Sequence, residues 1–210
     1  MTSQRTRARM IERLREQGIR DEKALAAMAA VPRHVFVEEA LASRAYEDTA
    51  LPLGMGQTIS QPYIVARMIE ALLANRPGLG KTLEIGAGCG YQAAVLAQLT
   101  KEVYAVERLK PLLEKAKVNM RKLQQFNVRL KLADGHFGLP EAAPFDSIIV
   151  AAAASHVPQA LLQQLAPGGR LILPVGGSEQ YLSLIEHTPQ GFAETRLDAV
   201  RFVPLLPGTE

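Results

Sequence analysis

Ala8, Ile11 and Leu14 recur at helical spacing between Gln4 and Gln17, and Gly18 follows as a stop, which predicts a surface helix. A second helix is expected from Lys23 to Ala30 with Asp21 as its N-cap, since Pro32 forbids continuation. Between Arg33 and Gln57 the periodicity breaks up, and Pro52, Gly54 and Gly56 mark a loop that passes over another part of the molecule. Ser60-Gln61-Pro62 then opens a helix running through Ala74. Pro62 suits its first position, and Ile64, Val65, Met68, Ile69, Leu72 and Leu73 form one apolar stripe.

Beyond Pro77 and Gly78 the texture changes to short apolar runs alternating with helical patterns. The runs are Thr82–Ile85, Tyr91–Leu99, Glu102–Val106, Leu109–Leu123, Val128–Leu132, Phe145–Ala151, Pro158–Leu165 and Arg170–Val175. Such alternation implies right-handed crossovers and a doubly wound, mostly parallel α/β sheet of Rossmann-like type. Tyr181–His187 and Phe192–Ala199 have no helix between them, so they are expected to pair antiparallel across Pro189-Gln190-Gly191. The 210 residues suit a single domain, with residues 1–75 as a helical N-terminal extension on an α/β core at 76–210.

Composition narrows the setting. With 48% hydrophobic and 21% charged residues, and no apolar run of the roughly 20 residues that span a bilayer, membrane insertion is not expected. The charged start lacks the apolar stretch of a secretory signal, which points to the cytoplasm. One cysteine, Cys89, allows no internal disulfide. The dispersed charges sum to only +3, too little to argue for nucleic acid. His34, His136, His156 and His187 show no metal-ligand spacing, so no metal is expected.

The most informative segment is Thr82-Leu-Glu-Ile-Gly-Ala-Gly-Cys-Gly-Tyr91, a strand running into a glycine-rich turn and then a helix. Gly86, Gly88 and Gly90 let the backbone turn sharply and lie against a ligand. A dinucleotide fingerprint places its third glycine five positions after the first, whereas Gly90 follows Gly86 by four. Glu84, just before the turn, would repel a pyrophosphate and favours a cofactor bearing a sulfonium and an ammonium, S-adenosylmethionine. Glu107 ends the next strand about 20 positions past the loop, where an acid can accept from both ribose hydroxyls. Asp134-Gly135 ends a third strand, placing an acid within possible reach of the adenine amine, although Asp-Gly is also a common turn.

With those residues the chain resembles the class I methyltransferases, and its remaining motifs are similar to one family, the protein-L-isoaspartate (D-aspartate) O-methyltransferases. The resemblance runs through Gly56-Gln-Thr-Ile-Ser-Gln-Pro-Tyr63, Leu83–Tyr91, Ala143-Pro-Phe-Asp146, Val157-Pro-Gln-Ala160 and Pro167–Gly176. The first stretch is the specific one. The resemblance implies Ser60 as the active-site residue, Thr58 and Ile59 as further parts of the substrate pocket, and residues 1–75 as carrying the substrate loop. It assigns Glu107, Asp134, Gly135 and the loop position of Cys89 to the cofactor. It also implies damaged proteins with L-isoaspartyl or D-aspartyl residues as substrates, repaired by way of a succinimide, and a monomeric enzyme. The chain departs from relatives at Ala133 and at His136-Phe137.

The acceptor carboxylate is already an anion at neutral pH, so the chemistry needs alignment and desolvation more than a general base. A neutral hydroxyl such as Ser60 suits that task, and Ser60 equally suits a helix N-cap. A methyltransferase for small molecules or nucleic acid is the nearest rival, but no Asn/Asp-Pro-Pro-Tyr/Phe motif, Pro-Cys nucleophile or set of stacking aromatics supports it. A nonenzymatic cofactor-binding module would have no reason to hold Thr58-Ile59-Ser60. A nicotinamide oxidoreductase conflicts with the glycine spacing.

Overall fold

A computed structural model describes residues 4–210; residues 1–3, part of the charged start read above, lie outside the described residues. Helix α1 spans Gln4–Glu16 and ends at Gly18, whose φ of 103° suits glycine. Its buried stripe is Met10, Ile11 and Leu14, while Ala8 is exposed. Helix α2, Glu22–Ala30, starts as expected with Asp21 accepting from the Ala24 amide at 2.9 Å.

The stretch expected as loop is more ordered than its sequence suggests. Two 3-10 turns, Arg33–Phe36 and Glu39–Arg44, lead to a hairpin of β1 (Leu51–Gly54) and β2 (Gln57–Ile59). Leu51 and Leu53 point inward while Pro52 and Gly54 stay exposed, a two-residue alternation too short to read beside its glycines. Helix α3, Pro62–Leu73, follows with Pro62 at its first turn.

The core elements are β3 (Thr82–Ile85), α4 (Tyr91–Leu96), β4 (Val103–Glu107), α5 (Lys110–Lys122), β5 (Val128–Leu132), β6 (Phe145–Val150), α6 (Gln159–Gln163), β7 (Leu165–Gly176), β8 (Gln180–Thr188) and β9 (Gly191–Val200). Their seven-stranded sheet has the order β5-β4-β3-β6-β7-β8-β9. The first five strands are parallel and the last two antiparallel, so the expected doubly wound sheet and C-terminal hairpin are both present. Two boundaries differ. Helix α4 stops at Leu96, and Leu165, expected to close a helix, begins β7 by pairing with Phe145.

Helices α1 to α4 bury their apolar faces on one side of the sheet, against Ile149, Ile172 and Leu182. Leu83, Ile85, Ile148 and Val150 face the other side, towards Leu161 of α6. The chain leaves β3 outward through β4 and β5, then returns to β6 on the opposite flank of β3. That reversal opens a crevice at the carboxyl ends of the strands. Residues 201–210 cross that edge: Leu205 donates to Ala153 O after β6, Gly208 to Asp134 after β5, and Glu210 to Arg108 O after β4.

Candidate active site

The carboxyl ends of β3, β4 and β6 open onto a cavity of about 500 Å³, a size typical of small-molecule sites. The sheet edge forms one wall, the hairpin residue Leu53 with Thr58, Ile59 and Ser60 a second, and the segment from Ala199 to Leu206 a third.

Because β3 commits Leu83 and Ile85 to one face, Glu84 falls on the other, where it is fully buried. Its Oε1 accepts from Gln92 Nε2 at 3.1 Å, and its Oε2 has no partner among the described residues. Burial drives the carboxyl pKa well above its usual range; the Gln92 bond opposes the shift and the charge of Glu107 adds to it. A buried acid with an empty oxygen lining a cavity is suited to a cationic ligand group.

In the turn that follows, Gly86, Gly88 and Gly90 take φ values of 86°, 54° and 88°. A Cβ on Gly90 would also lie 2.9 Å from Met120 Cε and 3.2 Å from Ala116 Cβ, so glycine lets α4 begin against α5. Four of the loop's amides have partners within the protein. Gly86 and Ala87 donate to Val106 O, Gly90 to Ala87 O, and Gly88 to Glu107 Oε2 at 2.8 Å. Cys89 lies in this loop and lines the cavity while 2% exposed, and burial pushes its thiol up to about 11.

Glu107 is 5% exposed and already well used. Its Oε1 accepts from the amides of Arg108 and Leu109 at 2.8 and 2.9 Å, at the start of α5, where Leu109 offers no capping side chain. With Gly88 on Oε2, three backbone donors hold the carboxylate in place at the cavity wall.

Asp134 is not itself part of the cavity lining and has three partners within the protein. Its Oδ1 accepts from the His136 amide and ring at 2.9 Å, and its Oδ2 from the Gly208 amide at 2.6 Å, which ties this strand end to the crossing segment. The cavity wall at this strand end comes from its neighbours Ala133 and Gly135. A Cβ on Gly135 would collide with Ile85 and press on Leu205, which explains glycine there.

Thr58 and Ile59 lie on β2, and Ser60 follows, half-buried and lining the cavity. Ser60 is not the helix cap. Gln61 holds the N-cap position without a capping side-chain bond, and the Tyr63 amide donates to Asp48 Oδ1 at 2.9 Å. The Ser60 hydroxyl therefore has no hydrogen-bond partner among the described residues. Sequence reasoning missed Asp48, Gln92 and the crossing segment 199–206. Asp48 and the crossing segment act across longer sequence gaps, and Gln92, eight residues from Glu84, carries no motif of its own; only the apolar run Phe202-Val-Pro-Leu205 hinted at a docked segment.

The histidines have separate partners: His34 the Tyr46 hydroxyl, His136 Asp134, His156 Ser155 and His187 the Leu165 carbonyl. Among the described residues, no group of three or more His, Cys, Asp or Glu side chains is placed to hold a metal ion, and no helix is long and apolar enough to cross a membrane.

The sequence signature of the family described as protein-L-isoaspartate(D-aspartate) O-methyltransferase matches residues 5–210. A Dechloromonas aromatica protein named protein-L-isoaspartate O-methyltransferase is 85% identical over all of this chain and 97% of its own length. An Azoarcus sp. (strain BH72) protein of the same name is 69% identical, over 98% of this chain and 95% of its own. A Plasmodium falciparum structure, named for the same activity and solved in complex with S-adenosyl-L-homocysteine, superposes with a TM-score of 0.81 at 28% identity. It covers 95% of this chain and 98% of its own.

Proposed function

The chain belongs to the protein-L-isoaspartate (D-aspartate) O-methyltransferase family, and on that premise we propose that it repairs proteins through the cavity at the carboxyl edge of its sheet. It transfers a methyl group from S-adenosylmethionine to the free α-carboxylate of L-isoaspartyl residues and the β-carboxylate of D-aspartyl residues. The observation that carries the reading is the pairing of two buried acids, Glu84 with an empty oxygen, with a partner-free Ser60 hydroxyl across one cavity.

Bound there, S-adenosylmethionine supplies a methyl group already activated on a positively charged sulfur. Glu84 holds the cationic amino end, its unpartnered Oε2 accepting from the ammonium. Glu107 would accept from the ribose hydroxyls, and Gly86 and Gly88 would let the backbone lie close, with Cys89 beside them in the same wall. Ala133 and Gly135 flank the adenine, and Asp134 acts by holding the crossing segment that covers this end.

On the opposite wall Ser60 donates to one oxygen of the substrate carboxylate and so aims the other at the methyl carbon, while Thr58 and Ile59 shape the pocket. No side chain needs to remove a proton, because the nucleophile is ionised at neutral pH. Burial in the cavity would strip water from that anion. The ester leaves the enzyme and closes to a succinimide that partly reopens as normal aspartate.

The same reading takes residues 1–210 as one methyltransferase domain, a cytoplasmic monomer without nucleic-acid or membrane partners. Family membership and the modest charge of +3 support it. The test is methyl transfer from labelled cofactor to two peptides differing only in Asp or isoAsp linkage. Only the isoAsp peptide is expected to be methylated, since the normal linkage displaces the main chain by a methylene. Equal rates would sink the repair reading and leave methyl transfer standing.

A further inference from the structure

Asp48 lies outside the cavity lining, yet it organises the catalytic stretch from behind. Its Oδ1 accepts from the Tyr63 amide at 2.9 Å; its Oδ2 accepts from Gln61 Nε2 at 2.9 Å and from Gln17 Nε2 at 2.7 Å. One carboxylate thus joins the end of α1, the residue after Ser60 and the first turn of α3.

Helix α3 has two local candidates for its cap, Ser60 and Gln61, and neither performs the task. Pro62 has no amide hydrogen, so the Tyr63 amide is the first that must be satisfied. Were Asp48 absent, that amide would draw in the nearest side-chain oxygen, and Ser60 is of the type that readily turns back to cap a helix. A Ser60 hydroxyl bent towards Tyr63 would be aimed away from the cavity.

We propose that Asp48 is a positioning residue for methyl transfer: by capping α3 from 15 residues upstream and fixing Gln61, it leaves the Ser60 hydroxyl free to face the acceptor carboxylate. The inference rests on the assignment of Ser60 to the carboxylate. It requires Asp48 to act through Ser60, which a general contribution to folding does not.

The test is a double-mutant cycle read by single-turnover methylation of an isoAsp peptide, with cofactor affinity measured by calorimetry. Ser60→Ala is expected to slow transfer about 10- to 100-fold, the order for one hydrogen bond to a charged acceptor. Asp48→Ala should slow it to a similar extent without weakening cofactor binding, and should add almost nothing in the Ser60→Ala background. Asp48→Asn should restore most of the rate, because its oxygen can cap Tyr63 while the Gln61 and Gln17 amides flip to receive its NH2 group.

Losses that multiply in the double mutant, a parent-like rate for Asp48→Ala, or an equal fall in cofactor affinity would overturn the role of Asp48. A parent-like Ser60→Ala would instead remove the assignment of Ser60 on which it rests. If Asp48→Ala does not fold, Asp48→Glu, whose carboxylate is displaced from the Tyr63 amide by a methylene, reads the same coupling: non-additivity with Ser60→Ala supports the proposal, and independent losses overturn it.

Discussion

A carboxyl group without water is costly when ionised unless a cation or a full set of donors meets it, and Glu84 has one donor for two oxygens. Its raised pKa means that the neutral form suits the empty fold. The contribution of Glu84 to stability is therefore full below the ordinary carboxyl value near 4.5 and is lost as pH rises through the raised value. Glu84→Gln does not titrate and keeps the bond from Gln92. The cofactor-free variant should match the parent's unfolding midpoint near pH 4 and exceed it at pH 8. Its affinity for S-adenosylmethionine should fall by about 1.5–3 kcal/mol, or about 10- to 100-fold, because the ammonium loses its charged acceptor. Thermal melts at the two pH values and calorimetry check both parts. An unchanged dissociation constant would move the ammonium elsewhere. At this scale the sequence was informative about where Glu84 and Glu107 sit, since strand ends beside the glycine turn place both acids in the cavity wall. It could not show that Asp134 also holds Gly208, which is distant in the chain.

At the scale of elements, α3 is held at both ends by groups from elsewhere. Asp48 caps its start, and Arg170 of β7 donates to the carbonyls of Ala71, Leu72 and Ala74 at its end while pairing with Glu186 of β8. Replacing Arg170 by Met strips those carbonyls of a charged donor. The loss should be about 1.5–3 kcal/mol of unfolding free energy, with cofactor affinity unchanged because Arg170 lies outside the cavity. Urea denaturation beside calorimetry tests this; unchanged stability would mean that water replaces the guanidinium without penalty. The limits of α2 and α3 were legible because Asp21, Pro32 and Pro62 act locally. The hairpin of β1 and β2 was not, because a two-residue alternation over Leu51–Gly54 is indistinguishable from loop until Leu53 is seen against the cavity.

Across the whole molecule, the cavity is walled by the N-terminal segment, the sheet edge and the crossing C-terminal segment, so a ligand there contacts parts far apart in sequence. Such a ligand binds only the assembled state. S-adenosylmethionine at 100 times its dissociation constant should stabilise the fold by about 2.7 kcal/mol and raise the melting temperature by about 5–10 °C. Proteolysis around residues 48–60 and 199–207 should slow together, and protection of one segment without the other would show that the walls do not close on one ligand. The sequence by itself determined the alternating α/β core, the glycine turn with Glu84 before it, and the placing of Glu107 at the end of the next strand, because periodicity and turn chemistry are written in neighbouring residues. Only the tertiary structure decided that Ser60 is relieved of capping by Asp48, that Asp134 grips the crossing segment, and that Glu84 is buried with an empty oxygen. Those outcomes depend on which donors and acceptors meet across tens of residues, and on which groups lose their water when they do.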